Sequence, residues 1–202
     1  MKQIFIRRTG DSVTFDEVNI DISQNVFFTN LDPDASHWPA IDPNGANPDF
    51  CDDELLSAPS DNSSQCNVPE PAQGTTKVTY GCRIKGHSNE HGIINVFPLL
   101  AAVSNTALKA TKGQATNQRV VTGGMPKYTI TDLIVNGADV PGSSTGPNEK
   151  LPIGPGIELV QDANGISVVG TPTEVKTYSF TFTVDDSMGL NLQQTQYSLT
   201  VS

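Results

Sequence analysis

Short runs in which apolar and polar residues alternate are the feature that most restricts what this chain can fold into. Tyr178, Phe180 and Phe182, for example, occupy every second position of one such run. These runs are bounded by Gly, Pro, Asn and Asp, which is the pattern of half-buried antiparallel strands. The 17 Gly and 14 Pro residues interrupt most stretches long enough for an amphipathic helix. We therefore predict an all-β protein, in which 52–58 and 97–103 are candidates for short helices.

Charge argues against a nucleic-acid partner, and hydropathy argues against a membrane-spanning helix. Lys and Arg total 12 against 22 Asp and Glu, so the formal net charge is −10. Without a cluster of Lys or Arg, the chain lacks the positive surface of a nucleic-acid-binding protein. No apolar stretch approaches the ~20 residues that a membrane-spanning helix needs. We expect no nucleic-acid partner and no membrane span, and the sequence does not specify an oligomeric state.

Composition divides the chain into two parts. All three His and all three Cys precede residue 92, whereas Gly, Thr, Val and Pro dominate from about residue 107. Several short strand patterns in the second part fit a small β-sandwich. We place the boundary near Asn105, which predicts domains at 1–105 and 106–202.

Two cysteines lie in a long irregular stretch from 30 to 75. Loops beyond about 15 residues are uncommon in compact domains unless they are functional or tied down. A disulfide between Cys51 and Cys66 would tie this one and stabilise the fold by roughly 3 kcal/mol. The alternative is a bridge from Cys82 to either of them. A disulfide requires an oxidising compartment, so we expect a periplasmic or extracellular protein whose leader has been removed.

Cys82, left over by this pairing, shares a short segment with two histidines. The spacing is Cys82-x4-His87-x3-His91, and the remaining histidine, His37, follows another predicted strand. One thiolate with two or three imidazoles is a copper ligand set, and it also suits zinc. Three histidines are too few for a second or trinuclear copper centre. None is left for a Ser–His–Asp arrangement, so we do not expect an enzyme.

The region 12–97 resembles the cupredoxins, the small blue-copper electron carriers. The resemblance rests on the apolar pattern of 13–22, on 26–30 leading to His37, and on the Cys82 loop. It implies a Greek-key β-sandwich that holds one mononuclear copper ion through His37, Cys82 and His87. It further implies one-electron transfer with a redox protein partner that the sequence does not identify.

Two positions depart from the family pattern. His91 takes the fourth position, where the family usually has a weakly bound Met, and this predicts a lower reduction potential. Trp38 follows the first ligand, where the family commonly has an Asn whose amide fixes the Cys loop, so that bridge must come from elsewhere.

The second part resembles the immunoglobulin-like repeats of bacterial surface and secreted proteins. The resemblance rests on 123–128, 151–154, 165–173 and 178–187. It implies a second β-sandwich with a spacer or adhesion role. Two alternatives to electron transfer stay open: a copper-binding or trafficking module without a redox partner, and a secreted adhesion or scaffold protein.

Overall fold

The computed structural model describes residues 1–41, 51, 55–57, 59–71, 76–142, 149–193 and 195–202. Over these residues the chain forms strands and no helix, which confirms the all-β prediction. The helix expected at 97–103 is wrong, because a short strand lies there instead. Of the other candidate helix, 52–54 and 58 lie outside the described residues.

The chain forms two compact units, Met1–Phe97 and Pro98–Ser202. The strands of the first unit are β1 Lys2–Thr9, β2 Ser12–Phe15, β3 Val18–Asp21, β4 Val26–Asn30, β5 Pro39–Ile41, β6 Lys77–Cys82 and β7 His91–Phe97. One sheet has the order β2-β1-β4, and the other has the order β3-β7-β6-β5. Two pairings, β1 with β4 and β3 with β7, are parallel, and the others are antiparallel. Consecutive strands β2 and β3 therefore belong to different sheets.

One apolar core joins the two sheets of the first unit. Burial alternates along β7, as expected for a strand with one face on a core. The phenol ring of Tyr80 lies edge-on to Phe15 and Phe28, with ring centroids 5.6 Å and 5.1 Å away. Phe15 also packs edge-on against the imidazole of His37, at 6.0 Å. The core thus extends to the first candidate ligand.

The disulfide between Cys51 and Cys66 is present, as predicted. Its chain segment is held to the sheet by backbone hydrogen bonds, because Cys66 exchanges two with Val26 on β4. Leu56 exchanges two with His37 in the same way, at 3.0 and 2.8 Å. The irregular segment therefore supports one face of the first candidate ligand.

The second unit is a β-sandwich with an immunoglobulin-like strand order. Its strands are β8 Ala101–Ala102, β9 Ala107–Ala110, β10 Thr116–Thr122, β11 Thr129–Val135, β12 Ala138–Asp139, β13 Lys150–Gly154, β14 Ile157–Asp162, β15 Gly165–Gly170, β16 Thr177–Asp185, β17 Asn191–Leu192 and β18 Tyr197–Val201. One sheet is ordered β13-β14-β15-β10-β8, and the other β12-β11-β16-β18-β9, with β17 beside β16. The series β8-β10-β15-β14 and β11-β16-β18 correspond to the A-B-E-D and C-F-G strands of immunoglobulin-like domains.

The boundary between the units lies before Pro98, ahead of the boundary near Asn105 that composition suggests. Strand β8 explains the difference. Ala101 and Ala102 pair with Thr122 and Val121 of β10, so the residues just after Phe97 already belong to the second sandwich.

Candidate metal centre

Four side chains of the first unit meet at one end of its sheets. They are His37, between β4 and β5, Cys82, at the end of β6, and His87 and Glu90, in the connection from β6 to β7. One ligand atom from each lies within 4.8 Å of all the others. The group offers one sulfur, two imidazole nitrogens and one carboxylate oxygen, a donor set that fits a copper or zinc ion.

Strand pairing brings the two ends of the site together. Pro39 on β5 lies opposite Cys82 on β6, so the residues just before β5 reach the thiol. The backbone N–H of Trp38 donates to the Cys82 Sγ at 3.4 Å, and Trp38 O accepts from the N–H of Arg83 at 2.9 Å. The family's Asn bridges to the Cys loop through its side chain. Here the main chain of Trp38 makes that bridge instead.

Two tight turns fold the connection from β6 to β7 onto the thiol. The N–H of His87 donates to Ile84 O and the N–H of Glu90 donates to His87 O, each at 3.0 Å. Gly86 has a φ of 97°, a left-handed conformation that suits glycine. The N–H of Cys82 then donates to Glu90 O at 2.9 Å, which returns Glu90 to the start of the loop.

Glu90 joins the two imidazoles. Its Oε2 lies 2.9 Å from the Nδ1 of His37 and 2.9 Å from the Nδ1 of His87. The Sγ of Cys82 lies 3.5 Å from the same His87 nitrogen. Both histidines thus present Nδ1 to a common centre.

His91 lies outside this group. Its side chain is exposed, and its Nδ1 is 3.1 Å from the carbonyl oxygen of Asn89. Of the four ligands expected from the sequence, the structure brings together His37, Cys82 and His87, and Glu90 occupies the place expected for His91. A carboxylate three residues after His87 was the available signal, since carboxylates bind metals as imidazoles do. The family spacing instead assigns the fourth position to residue 91.

A buried carboxylate contacts the far side of His37. The Nε2 of His37 lies 2.8 Å from Asp32 Oδ2, and both side chains are fully buried. Arg8 donates two hydrogen bonds to the same carboxylate, each of 2.9 Å. Burial opposes ionisation of Asp32, but hydrogen bonds from Arg8, the N–H of Asp34 and His37 outweigh it and hold its pKa well below the ordinary value.

The thiol is set in a low-polarity environment. Burial raises the pKa of Cys82, the carboxylate of Glu90 raises it further, and hydrogen bonds from the backbone of Trp38 and Ile84 act in the opposite direction. A metal ion held here would bind the deprotonated sulfur, so its binding would release the proton of this thiol.

His87 is the candidate ligand with the greatest access to solvent. Its side chain is 22% exposed, against 14% for Glu90 and none for His37. A cavity of about 320 Å³ adjoins it, lined by polar groups that include Asp11, Ser12 and Asn89. The surface beside His87 is therefore polar.

In the part of the chain that the structure describes, no helix has the length and apolar character to cross a membrane.

Comparison with known proteins finds no matching family model and no matching curated protein. Among solved structures, tandem immunoglobulin domains of titin are 9% identical with a TM-score of 0.37, over 73% of this chain and 72% of that one. Domains IG1 and IG2 of DIP-gamma are 12% identical with a TM-score of 0.37, over 92% and 93%. The polymeric Ig receptor ectodomain of a teleost fish is 10% identical with a TM-score of 0.33, over 98% of each chain. Similarity this low carries no argument about function.

Proposed function

We propose that the first unit is a cupredoxin-type domain that holds one copper ion and transfers single electrons. Its ligands would be His37, Cys82 and His87, with Glu90 as the fourth. The observation that carries the proposal is the meeting of one thiol, two imidazole Nδ1 atoms and one carboxylate oxygen within 4.8 Å of one another. Bound copper would supply one-electron chemistry by alternating between Cu(II) and Cu(I).

The donor set supports copper on chemical grounds. A thiolate is soft enough for Cu(I), imidazoles suit both oxidation states, and a His2Cys group with a weaker fourth donor is typical of electron-transfer copper sites. Glu90 departs from the weak thioether of that pattern. A carboxylate oxygen is a harder donor, so it favours Cu(II) and lowers the reduction potential.

The protein holds these ligands rigidly, which suits electron transfer because little has to move when the charge changes. Backbone hydrogen bonds hold Cys82 from two directions, through Trp38 and Glu90. His37 is fixed by the backbone of Leu56 and by Asp32. Parallel pairing of β1 with β4, and of β3 with β7, also supports the Greek-key sandwich that the family resemblance implies.

His87 provides the route for the electron. It is the most exposed of the four candidate ligands, so a partner protein can approach its imidazole edge while Cys82 stays buried. The polar rim favours a partner with a polar docking face rather than an apolar one.

All four candidate ligands belong to the first unit, and residues 98–202 contain neither His nor Cys. We assign it a spacer or adhesion role and no catalytic one. The disulfide suits an exported protein, in the periplasm or outside the cell.

The test is the visible absorption spectrum of the full chain after addition of one equivalent of Cu(II). A thiolate bound to Cu(II) gives an intense charge-transfer band, so we expect the wild-type protein to be coloured. Cys82→Ala should lose the band, and His87→Ala should lose or strongly change it. His91→Ala is the matched control and should keep the wild-type spectrum.

Three results would contradict the proposal. A colourless copper complex would remove the thiolate from the metal. A band that survives in Cys82→Ala would place the chromophore elsewhere. Tight binding of Zn(II) together with weak binding of copper would favour a structural or trafficking site.

A further inference from the structure

Arg8 and Asp32 form an ion pair directly behind His37, and neither residue is a candidate ligand. Asp32 is fully buried and accepts both an Nε and an NH2 hydrogen bond from Arg8, a bidentate arrangement. Its Oδ2 also accepts the hydrogen of His37 Nε2, at 2.8 Å. Arg8 lies on β1, so an element that supplies no ligand reaches the centre through one carboxylate.

Stability alone is a poor reason for this pair. Burying the charge of Asp32 is costly even beside the half-buried Arg8, and apolar residues of similar volume often stabilise a core as well or better. Asp32 is nevertheless fully satisfied, because the N–H of Asp34 donates to it as well. A fully bonded carboxylate at this position is well suited to act on its neighbour, the imidazole of His37.

The contact between Asp32 and His37 determines which imidazole nitrogen of His37 faces the other candidate ligands. An imidazole that donates from Nε2 to a carboxylate keeps its proton on that nitrogen and leaves Nδ1 to bind a metal. Nδ1 is the nitrogen that lies 2.9 Å from Glu90 and faces the other candidate ligands. The same hydrogen bond makes the imidazole a stronger donor, which favours Cu(II).

We propose that Asp32 and Arg8 are a positioning pair that sets the redox preference of the centre through His37. Asp32 fixes the imidazole and strengthens it as a donor, while Arg8 holds Asp32 and withdraws part of its negative charge. The inference rests on the proposed copper function and adds that a residue of β1, Arg8, influences the reduction potential of the centre.

Opposite shifts of the reduction potential are the signature of this arrangement. Asp32→Asn keeps the shape of the side chain and removes its charge, so the preference for Cu(II) over Cu(I) should fall about tenfold, a rise of about 59 mV for a one-electron couple. Arg8→Gln leaves the carboxylate uncompensated, so the potential should fall. Arg8→Lys keeps the charge without the bidentate geometry and should lie between Arg8→Gln and wild type.

The second unit offers a matched control. Arg119 and Asp162 also form a bidentate pair, at 2.9 and 2.8 Å, on a unit without candidate ligands. Asp162→Asn and Arg119→Gln should leave the potential unchanged. If Asp32→Asn and Arg8→Gln shift the potential in the same direction, or not at all, the pair is only structural and the proposal is overturned.

Zn(II) affinity, measured by competition with a chelator, provides a readout without redox chemistry. Asp32→Asn should weaken Zn(II) binding about tenfold, in the range found when such outer partners of ligands are lost. In the Zn(II)-loaded wild-type protein, NMR should show a His37 Nε2–H protected from exchange, and its absence would overturn the proposal even if Asp32→Asn does not fold. Wild-type protein that binds Zn(II) with this signature but gives no coloured copper complex would defeat the proposed function and leave the positioning role standing.

Discussion

At the scale of single residues, the identity of the fourth candidate ligand depends on a difference of one position. His91 is the first residue of β7 and points to solvent, whereas Glu90 lies at the end of the preceding turn and points to the two imidazoles. The carbonyl of Glu90 is bonded to the N–H of Cys82, so its position relative to the thiol is fixed by the backbone. A residue in a turn can therefore take the place that family spacing assigns to its neighbour.

Glu90→Met and His91→Met form a matched pair that tests this assignment. Glu90→Met replaces a hard oxygen with a weak thioether, so the reduction potential should rise by about 59 mV or more. His91→Met should leave both potential and spectrum as in the wild-type protein. Potentiometric titration of the two copper-loaded variants decides between them. The reverse outcome would make His91 the fourth ligand, as the family spacing predicts.

At the scale of elements, the site depends on a segment without regular structure. Asn30, fully buried at the end of β4, accepts the N–H of Asp32 and donates to the carbonyls of Ala35, Leu56 and Ser57. It thus joins the loop that carries His37 to the segment that the disulfide holds. The described part of that segment therefore supports His37, the first candidate ligand.

Removing the disulfide should weaken both the fold and the site. A Cys51→Ala/Cys66→Ala double variant removes the covalent link between two residues that are 15 positions apart in the sequence. We expect the free energy of unfolding of the first unit to fall by about 3 kcal/mol. Urea unfolding followed by Tyr and Trp fluorescence measures this, and copper affinity should fall with it because Leu56 no longer supports His37. Unchanged stability and affinity would show that backbone pairing alone holds the segment.

At the scale of the whole molecule, the described residues form two separate apolar cores that share no residue. All four candidate ligands belong to the unit Met1–Phe97. Each unit contains complete sheets and a core of its own, so each has the means to fold alone.

Fragments of the chain test whether each unit folds by itself and whether the boundary lies before Pro98. Residues 1–97 should bind copper with the spectrum of the full chain, and 98–202 should fold without binding it. A fragment that starts at 106 lacks β8, so it should unfold at a lower urea concentration than 98–202, because Val121 and Thr122 lose the pairing with β8 on one side of β10. Circular dichroism and copper titration give both answers. If 1–97 folds but does not bind copper, the site needs the second unit.

The sequence by itself determined what depends on local pattern. Alternation predicts strands because side chains along a strand point to opposite faces in turn, and burial along β16 follows that period. The disulfide followed from two cysteines in one long loop. The choice of His37, Cys82 and His87 as candidate ligands was what the family resemblance of 12–97 implied.

Tertiary structure alone decided what depends on direction and on distant pairing. Whether residue 90 or 91 faces the centre depends on two turns and on a hydrogen bond from Cys82 to Glu90. The ion pair behind His37 depends on the parallel pairing of β1 with β4. This pairing brings Arg8 to the carboxylate of Asp32, which is 24 residues away in the sequence. Composition placed the boundary late because the residues of β8 reveal their unit only by pairing with β10. A local pattern specifies which way a strand turns its side chains, but the partner that a side chain meets is set by segments far along the chain.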